Sequence, residues 1–372
     1  MTRQERSAEL RVVVVGAGKV GRAVASQLVG GARAMCSRNG VVMRLIGMAD
    51  RSAMLLDTRG LPEASIRGAL DVKQSGMQLD SLSTHVGTLD LDMLGRLALP
   101  GVVFVDTTAD PDIGGMWRAA LDAGAYVALA NKLPLCRSWA ESGVFFEHPR
   151  LRYEATVGAG LPVISTLRRL LDSGDCIKRI RASVSGTLAY LMHSASSGVP
   201  LSEAVAAAIN AGYAEPDPRE DLRGADVARK AMILTRTLGW PVEREDVDAE
   251  SLYPQRLDGC DLSTFLQELP ALDAGFAARV SAAAEQGDVL RYAASINPGE
   301  RSIRVALQPF ERSDPFACCA GTENRIEFHT ERYARDILSV SGPGAGPQVT
   351  AMGVLSDLVE LAGEVRRGGC HE

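Results

Sequence analysis

The chain has 372 residues, which is long enough for two domains, and its 46% hydrophobic and 23% charged residues are ordinary for a globular protein. A formal net charge of −6 without a long basic run argues against nucleic acid as the main partner. Seven scattered cysteines with no C-x-x-C pair argue against a disulfide framework or a zinc site. The polar N-terminus MTRQERSAEL resembles neither a signal peptide nor a membrane span, so we expect a reduced, cytoplasmic setting.

The segment LRVVVVGAGKVGRAVASQLVGG, residues 10–31, predicts a strand, a glycine turn and a helix in that order. Four consecutive valines indicate a strand buried on both faces. G-x-G-x-x-G between a strand and a helix is the fingerprint of a dinucleotide-binding unit, although a purely structural glycine turn is the alternative. The glycines allow a tight turn and close approach of a pyrophosphate to the helix N-terminus. The predicted cofactor-binding residues are Gly16, Gly18, Lys19, Val20 and Gly21.

The second strand, VVMRLIGMAD, ends at Asp50, an acid that in this position usually accepts hydrogen bonds from the adenosine ribose of NAD. Arg51 and Ser52 follow directly and are suited instead to holding the 2′-phosphate of NADP. Both interpretations stand, so the sequence predicts NAD or NADP. Residues 31–40, GARAMCSRNG, are expected to form an inserted loop.

Two further strands place polar residues at their carboxyl ends. GVVFVDTTAD ends at Asp106 and continues through Thr108, and AYVALANK ends at Asn131 and Lys132. In open parallel sheets ligands gather at this edge, so Thr108 and Lys132 are candidate site residues, with an exposed loop lysine as the alternative for Lys132. The first 150 residues therefore predict an α/β fold of the Rossmann-type, doubly wound class.

A second domain of α+β type is expected from Leu151 onward. It opens with a short strand that ends near Val157, and Ser202 is expected to be the N-cap of a later helix. Alternating patterns at 289–296 and 302–310 predict antiparallel strands, with 325–330 and 337–342 as possible additions to that sheet. Residues 240–289 show no clear pattern.

The last glycine turn, GPGAG, opens a long helix that we expect to return to the first domain. The predicted domains are therefore residues 1–150 with 342–372, and residues 151–341.

The stretch AEPDPREDLRGADVARK, residues 214–230, combines two prolines with five acids and ends at Lys230. Pro216 and Pro218 prevent a regular helix there, because proline has no N–H and a fixed φ. Helical phase places Asp226 and Lys230 beside the buried stripe of the next helix but outside it. Spacing alone favours a surface ion pair, whereas the alternative is a rigid frame of carboxylates and an amine around a small polar substrate.

The chain resembles homoserine dehydrogenases over nearly its whole length. The motifs that carry the resemblance are GAGKVG (16–21), ANK (130–132), YEATVGAGLPVISTLRRLL (153–171), SGTLAYLM (185–192), AGYAEPDPREDLRGADVARKAMIL (211–234) and GPGAGPQVTAMGVLSDL (342–358). The resemblance implies interconversion of L-aspartate 4-semialdehyde and L-homoserine with a nicotinamide cofactor, on the route to threonine, isoleucine and methionine. It also implies that the second domain is the catalytic and dimerisation domain of a homodimer, and we expect no threonine-sensing ACT extension.

The resemblance assigns roles residue by residue. Lys230 matches the catalytic lysine and Lys132 a second lysine near cofactor and substrate. Substrate-binding acids are matched by Glu215, Asp226 and Asp221, and further cofactor contacts by Thr108, Gly342 and Gly344. A monovalent cation, commonly sodium, would be bound by the Glu154 carboxylate and the backbone carbonyls of Val157, Ala159 and Leu161.

Two other functions remain open on the residues. One is a dehydrogenase of a related amino-acid aldehyde, and the other is a non-catalytic nucleotide sensor. Aspartate semialdehyde dehydrogenase is disfavoured, because no cysteine is placed with a histidine partner as a thioester-forming nucleophile.

Overall fold

The computed structural model describes residues 8–215, 217–319 and 322–368. These residues form two compact units: the first holds those up to Gly160 and those from Gly346 onward, and the second holds Leu161–Ala345. Within the described ranges no helix is both long and apolar enough to cross a membrane. Strands and helices are numbered below in chain order.

The first unit is built on a six-stranded sheet in the order β3-β2-β1-β4-β5-β6, parallel except for β3. The predicted valine strand is β1, and Val12, Val13 and Val14 are fully buried, as expected for a strand covered on both faces. Its strands are β1 (Ala8–Val15), β2 (Val41–Ala49), β3 (Met54–Leu56), β4 (Val102–Asp106), β5 (Tyr126–Leu129) and β6 (Leu151–Arg152). Its helices are α1 (Lys19–Asn39), α2 (Glu63–Gln74), α3 (Leu91–Leu97), α4 (Gly114–Asp122), α5 (Trp139–Glu147) and α13 (Pro347–Gly368).

The second unit contains a six-stranded sheet in the order β12-β11-β7-β9-β10-β8. All pairs are antiparallel except β8 with β10, so the predicted antiparallel strands are confirmed. Its strands are β7 (Ile177–Ser183), β8 (Val247–Ala249), β9 (Asp288–Asn297), β10 (Ser302–Glu311), β11 (Glu323–Thr330) and β12 (Leu338–Pro343). Its helices are α6 (Val163–Asp172), α7 (Gly186–Ser196), α8 (Leu201–Asn210), α9 (Arg219–Leu222), α10 (Ala225–Thr237), α11 (Leu262–Glu268) and α12 (Pro270–Glu285).

Three local predictions are wrong. Residues 31–39 continue α1 rather than forming an inserted loop, because α1 packs along α13. The Gln27 side chain of α1 donates to the Gln348 carbonyl of α13. The strand from Leu151 is only two residues long, and a 3-10 turn, Glu154–Thr156, takes the place of its continuation. Ser202 lies in the first turn of α8 rather than at its N-cap. Its N–H and its hydroxyl both donate to the Asp273 carboxylate.

Candidate active site

The glycine turn of the first unit leaves a helix N-terminus open. Gly16 has φ 98°, and a Cβ there would lie 2.8 Å from the Thr107–Thr108 peptide, so only glycine fits. A Cβ on Gly21 would overlap the Gly16 carbonyl, whereas a Cβ on Gly18 would meet nothing within 4 Å. No side chain of the described residues caps α1 at Gly18. The first N–H groups of α1, those of the exposed Lys19 and half-buried Val20 among them, are therefore available to an anion.

Asp50 follows β2, as predicted, but its carboxylate is engaged within the unit. One oxygen accepts from the Ser52 N–H and hydroxyl and the Ala53 N–H, at 2.7–3.1 Å. The other accepts from the Lys73 ammonium at 2.7 Å and from the Leu79 N–H at 3.1 Å. Burial acts to raise the Asp50 pKa, but these hydrogen bonds outweigh it and hold the pKa well below its usual range.

Arg51 stands in contrast to Asp50. Its side chain is exposed and forms no hydrogen bond or ion pair with other described residues. The cationic neighbour is therefore more available to a ligand than the acid.

Thr108 and the Asn131–Lys132 pair lie at the same edge of the first sheet. Asp106, the last residue of β4, pairs with Leu129, the last residue of β5, so the turns that follow the two strands are neighbours. Lys132 is half-buried and directly precedes a 3-10 turn, Leu133–Cys136. The structure thus brings these candidate residues together at the carboxyl edge, where parallel sheets bind ligands.

Lys230 lies on the buried face of α10, not beside it, so the helical-phase interpretation is wrong. The residue is only 8% exposed. Its ammonium lies 2.6 Å from the Asp226 carboxylate and donates to the Val184 carbonyl at 2.5 Å, just beyond the end of β7. The helix is buried on nearly all sides, with Ile233 completely covered, so the single buried stripe expected from helical phase is only part of its buried surface.

The acids of the 214–230 stretch divide by partner. Asp217 forms hydrogen bonds with the Arg219 guanidinium, which lower its pKa. Glu220 lies 3.7 Å from Arg223 and 3.6 Å from Arg229. The acids that the resemblance assigns to the substrate are the other three, Glu215, Asp221 and Asp226. Pro216, one of the two prolines expected to prevent a regular helix here, lies outside the described residues.

Asp221 stands at the centre of this acidic group. Burial raises its pKa, and so do the charges of Asp226 and Glu215, while the nearby Thr187 hydroxyl and Glu215 backbone act in the opposite direction. Thr187, in the first turn of α7, donates its hydroxyl proton to the Tyr213 carbonyl at 2.6 Å. The Glu215 side chain is exposed and forms no ion pair with described residues. The charges of Asp226 and Glu215 both act on Asp221, and Asp226 pairs with Lys230, so the local surplus of negative charge suits a cationic ligand.

The predicted cation turn lies mainly in the first unit. Glu154 is 3% exposed, and its N–H donates to the Asp357 carboxylate of α13 at 3.0 Å. Val157 is fully buried, and Ala159 adopts φ 57°, a left-handed conformation that redirects the backbone carbonyls of this turn. Leu161, the fourth predicted ligand, is the first residue of the second unit.

The terminal glycine turn is fixed by one buried side chain. Asn324, 1% exposed, donates to the Gly344 carbonyl at 3.4 Å, and a Cβ on Gly344 would overlap its amide. Gly342 has φ 151° and pairs with Asn324 across β11 and β12. The turn therefore requires glycine at position 344 because of Asn324, a residue that the sequence did not single out.

Comparison with known proteins identifies the family. The homoserine dehydrogenase family model matches residues 162–359. The chain belongs to this family. Homoserine dehydrogenase of Emericella nidulans is 36% identical, with 95% of this chain and 99% of that protein aligned.

A larger relative and a more distantly related solved structure match as well. Bifunctional aspartokinase/homoserine dehydrogenase 2 of Zea mays is 37% identical over 95% of this chain, which spans 38% of that relative's length. A hyperthermophilic archaeal homoserine dehydrogenase solved in complex with NADPH superposes with a TM-score of 0.73 at 25% identity, covering 95% of this chain and 97% of its own.

Proposed function

We propose that this chain catalyses the NADP-dependent interconversion of L-aspartate 4-semialdehyde and L-homoserine, in the biosynthesis of threonine, isoleucine and methionine. The observation that carries the proposal is the buried ammonium of Lys230, paired with Asp226, whose charge also acts on Asp221. An amine fixed within an acidic group is suited to an amino-acid substrate whose other end gains or loses a proton.

Lys230 is the proposed acid and base. A bound nicotinamide cofactor supplies hydride to the aldehyde carbon, or removes it from the alcohol in the reverse direction. During reduction negative charge grows on the aldehyde oxygen, and the Lys230 ammonium stabilises that charge and donates a proton, directly or through water. Its hydrogen bonds to Asp226 and Val184 fix the nitrogen before substrate arrives, so little reorganisation is needed. Lys132 is proposed as the assisting lysine of the first unit.

The proposed role of the acids is to bind the substrate ammonium. Glu215 and Asp226 supply carboxylates, and the charges of both act on Asp221. Because Asp217 and Glu220 lie against arginines, we assign them to the fold rather than to the substrate.

The proposed cofactor preference is for NADP. Asp50 accepts five hydrogen bonds from its own unit, so its capacity to accept from a ribose hydroxyl is small. Arg51 is exposed and cationic, which suits a 2′-phosphate. The NADPH complex of the archaeal homoserine dehydrogenase supports the same preference.

A monovalent cation, sodium in the first instance, is proposed at the Glu154 turn. The fit rests on a nearly fully buried carboxylate and on a turn whose Ala159 has a left-handed φ, with oxygen ligands that suit a hard ion. Leu161 remains a predicted ligand. Replacing sodium by tetramethylammonium at constant ionic strength should lower the melting temperature of the wild-type chain but not that of Glu154→Gln.

A homodimer formed through the second sheet is also proposed. Strand β12 lies at the end of this sheet and pairs only with β11 among the described residues, so its outer backbone groups are available to a second copy. Sedimentation velocity over a range of concentrations would measure the mass. We propose a cytoplasmic location, which is supported by the free thiols of the described cysteines, Cys36, Cys136, Cys176, Cys260, Cys318 and Cys319.

One assay separates the candidate functions. Purified chain is incubated with L-homoserine and either NAD or NADP, and nicotinamide reduction is followed by absorbance. We expect homoserine-dependent reduction with a higher kcat/KM for NADP. Turnover of a related amino-alcohol in preference to homoserine would favour the related dehydrogenase, and nucleotide binding without any turnover would favour a sensor.

A further inference from the structure

Asp106 is a fully buried carboxylate in the first unit whose surroundings are hydrogen-bond donors. One oxygen accepts from the Thr108 N–H at 2.8 Å and from the Thr108 hydroxyl at 2.7 Å. The other accepts from the Trp117 indole N–H at 2.8 Å and from the Asn131 amide at 3.2 Å. Burial raises the Asp106 pKa, and these four donors act to lower it. Such a buried group requires all of its donors, because each one lost leaves a desolvated acceptor.

The Thr108 hydroxyl is already engaged by three neighbours. A hydroxyl has one proton and two lone pairs. Thr108 gives its proton to Asp106 and accepts from the Asn131 amide at 3.2 Å and from the Asp110 N–H at 3.3 Å. Its backbone carbonyl, in contrast, accepts no hydrogen bond from the described residues. The main-chain carbonyl is therefore the Thr108 group most open to a cofactor.

Asn131 connects this network to the turn that carries Lys132. Its amide nitrogen also donates to the Asp110 carbonyl at 2.9 Å, and its side-chain oxygen accepts from the Leu133 N–H at 3.0 Å. Its own N–H donates to the Asp106 carbonyl at 3.2 Å. The residues on both sides of Lys132 are thus fixed through Asp106 and Asn131.

We propose that Asp106 is a positioning residue that holds the Thr108 main chain and the Lys132 turn at the carboxyl edge of the first sheet, and that Thr108 contacts the cofactor through its main chain and not its hydroxyl. This inference rests on the proposed binding of a nicotinamide cofactor at that edge. It explains a buried acid next to a candidate cofactor residue without making that acid a ligand.

The test uses the whole chain, four single variants and one double variant. Asp106→Asn is nearly isosteric but replaces one acceptor oxygen by an NH2 group, which then faces other hydrogen-bond donors. We expect it to weaken NADPH binding, measured by fluorescence titration, and to raise the KM for NADP, each by about 10- to 100-fold, while the KM for homoserine changes less than about twofold. General loss of folded protein would reduce the active fraction without separating the two KM values. Trp117→Phe, which removes one donor from Asp106, should change the same constants in the same direction by a smaller factor and serves if Asp106→Asn fails to fold.

The hydroxyl is tested by a pair of substitutions at one position. Thr108→Ser keeps the hydroxyl and should retain most of the NADPH affinity that Thr108→Val loses. Thr108→Val should weaken NADPH binding, and the double variant with Asp106→Asn should bind no more weakly than the worse single variant, because both break one network. Fully additive losses would overturn the inference, since the hydroxyl would then be a ligand itself, and so would unchanged NADPH affinity in Asp106→Asn. A wild-type chain that bound no nicotinamide cofactor would instead overturn the proposed function beneath it.

Discussion

The Lys230 ammonium nitrogen lies 2.6 Å from a carboxylate oxygen of Asp226, one turn earlier on α10. An exposed pair at this spacing contributes only about 0.3–0.5 kcal/mol to stability. Here the Lys230 side chain is 10% exposed and that of Asp226 31%, so removing the Asp226 carboxylate leaves a nearly buried ammonium without this counter-charge. The relationship therefore belongs to the organisation of a site more than to the stability of a helix.

Asp226→Asn tests this relationship. The variant removes the counter-charge of Lys230 and one proposed contact to the substrate ammonium, so kcat/KM for homoserine should fall by roughly 10- to 100-fold. The KM for the cofactor should stay within about twofold. Asp248→Asn is the matched control, because Asp248 is highly exposed and its carboxylate lies 4.0 Å from the Arg304 guanidinium. Equal, small effects of both substitutions would contradict the assignment.

Glu215→Gln should act mainly on substrate binding. Its exposed carboxylate forms no ion pair with described residues, so loss of the charge should raise the KM for homoserine by about tenfold and leave thermal stability nearly unchanged. Asp217→Asn, on the same loop, breaks a hydrogen-bonded pair with Arg219 and should lower the melting temperature with little effect on KM. Steady-state kinetics and a thermal melt on both variants check this, and the reverse pattern would exclude Glu215 as a substrate contact.

Arg51→Ala should change cofactor choice. If the exposed guanidinium binds the 2′-phosphate, kcat/KM should drop by roughly 10- to 100-fold with NADP and by less than about twofold with NAD. Arg59→Ala provides a control at another exposed arginine of the first unit. Equal losses with both cofactors would show that Arg51 does not discriminate between NADP and NAD.

Stability should fall in acid because of Glu327, which is 2% exposed. Burial raises its pKa, but the His329 ring 3.4 Å away and hydrogen bonds from Arg181 and Arg325 outweigh burial and lower the pKa from 4.5 to about 2. A carboxylate whose pKa is lower in the folded than in the unfolded chain stabilises the fold at pH values above the unfolded pKa. This contribution is lost as pH falls from about 4.5 toward 2. The shift corresponds to roughly 3 kcal/mol. Urea unfolding at pH 6 and at lower pH should show a steeper loss in the wild-type chain than in Glu327→Gln, and parallel losses would exclude this group as the cause.

Much of the first unit follows from local sequence. Consecutive valines and the spaced glycines specify β1 and the start of α1, because a buried parallel strand and a close turn have few alternatives. The course of α1 beyond Gly30 does not follow locally: two adjacent glycines and a polar segment favoured a loop, whereas packing along α13, more than 300 residues later in the chain, keeps it helical.

Burial of Lys230 could not be predicted from helical phase. Phase locates one apolar stripe, but α10 is covered on several sides, including by β9, and only the folded chain brings Val184 to the ammonium. Asp106 was visible as the end of a strand, yet its four donors come from three separate segments. Residue types and their order identified the candidate acids. The arginine partners of Asp217 and Glu220 then distinguished these two from the proposed substrate-binding acids.

The most direct test of the central claim is a single-turnover measurement of NADPH oxidation by L-aspartate 4-semialdehyde in Lys230→Ala, with Lys178→Ala as the exposed-lysine control. We predict that Lys230→Ala binds NADPH with nearly wild-type affinity and reduces the aldehyde at least ~100-fold more slowly, while Lys178→Ala behaves as wild type. A Lys230→Ala chain that reduced the aldehyde at close to the wild-type rate would contradict the proposed role of this lysine.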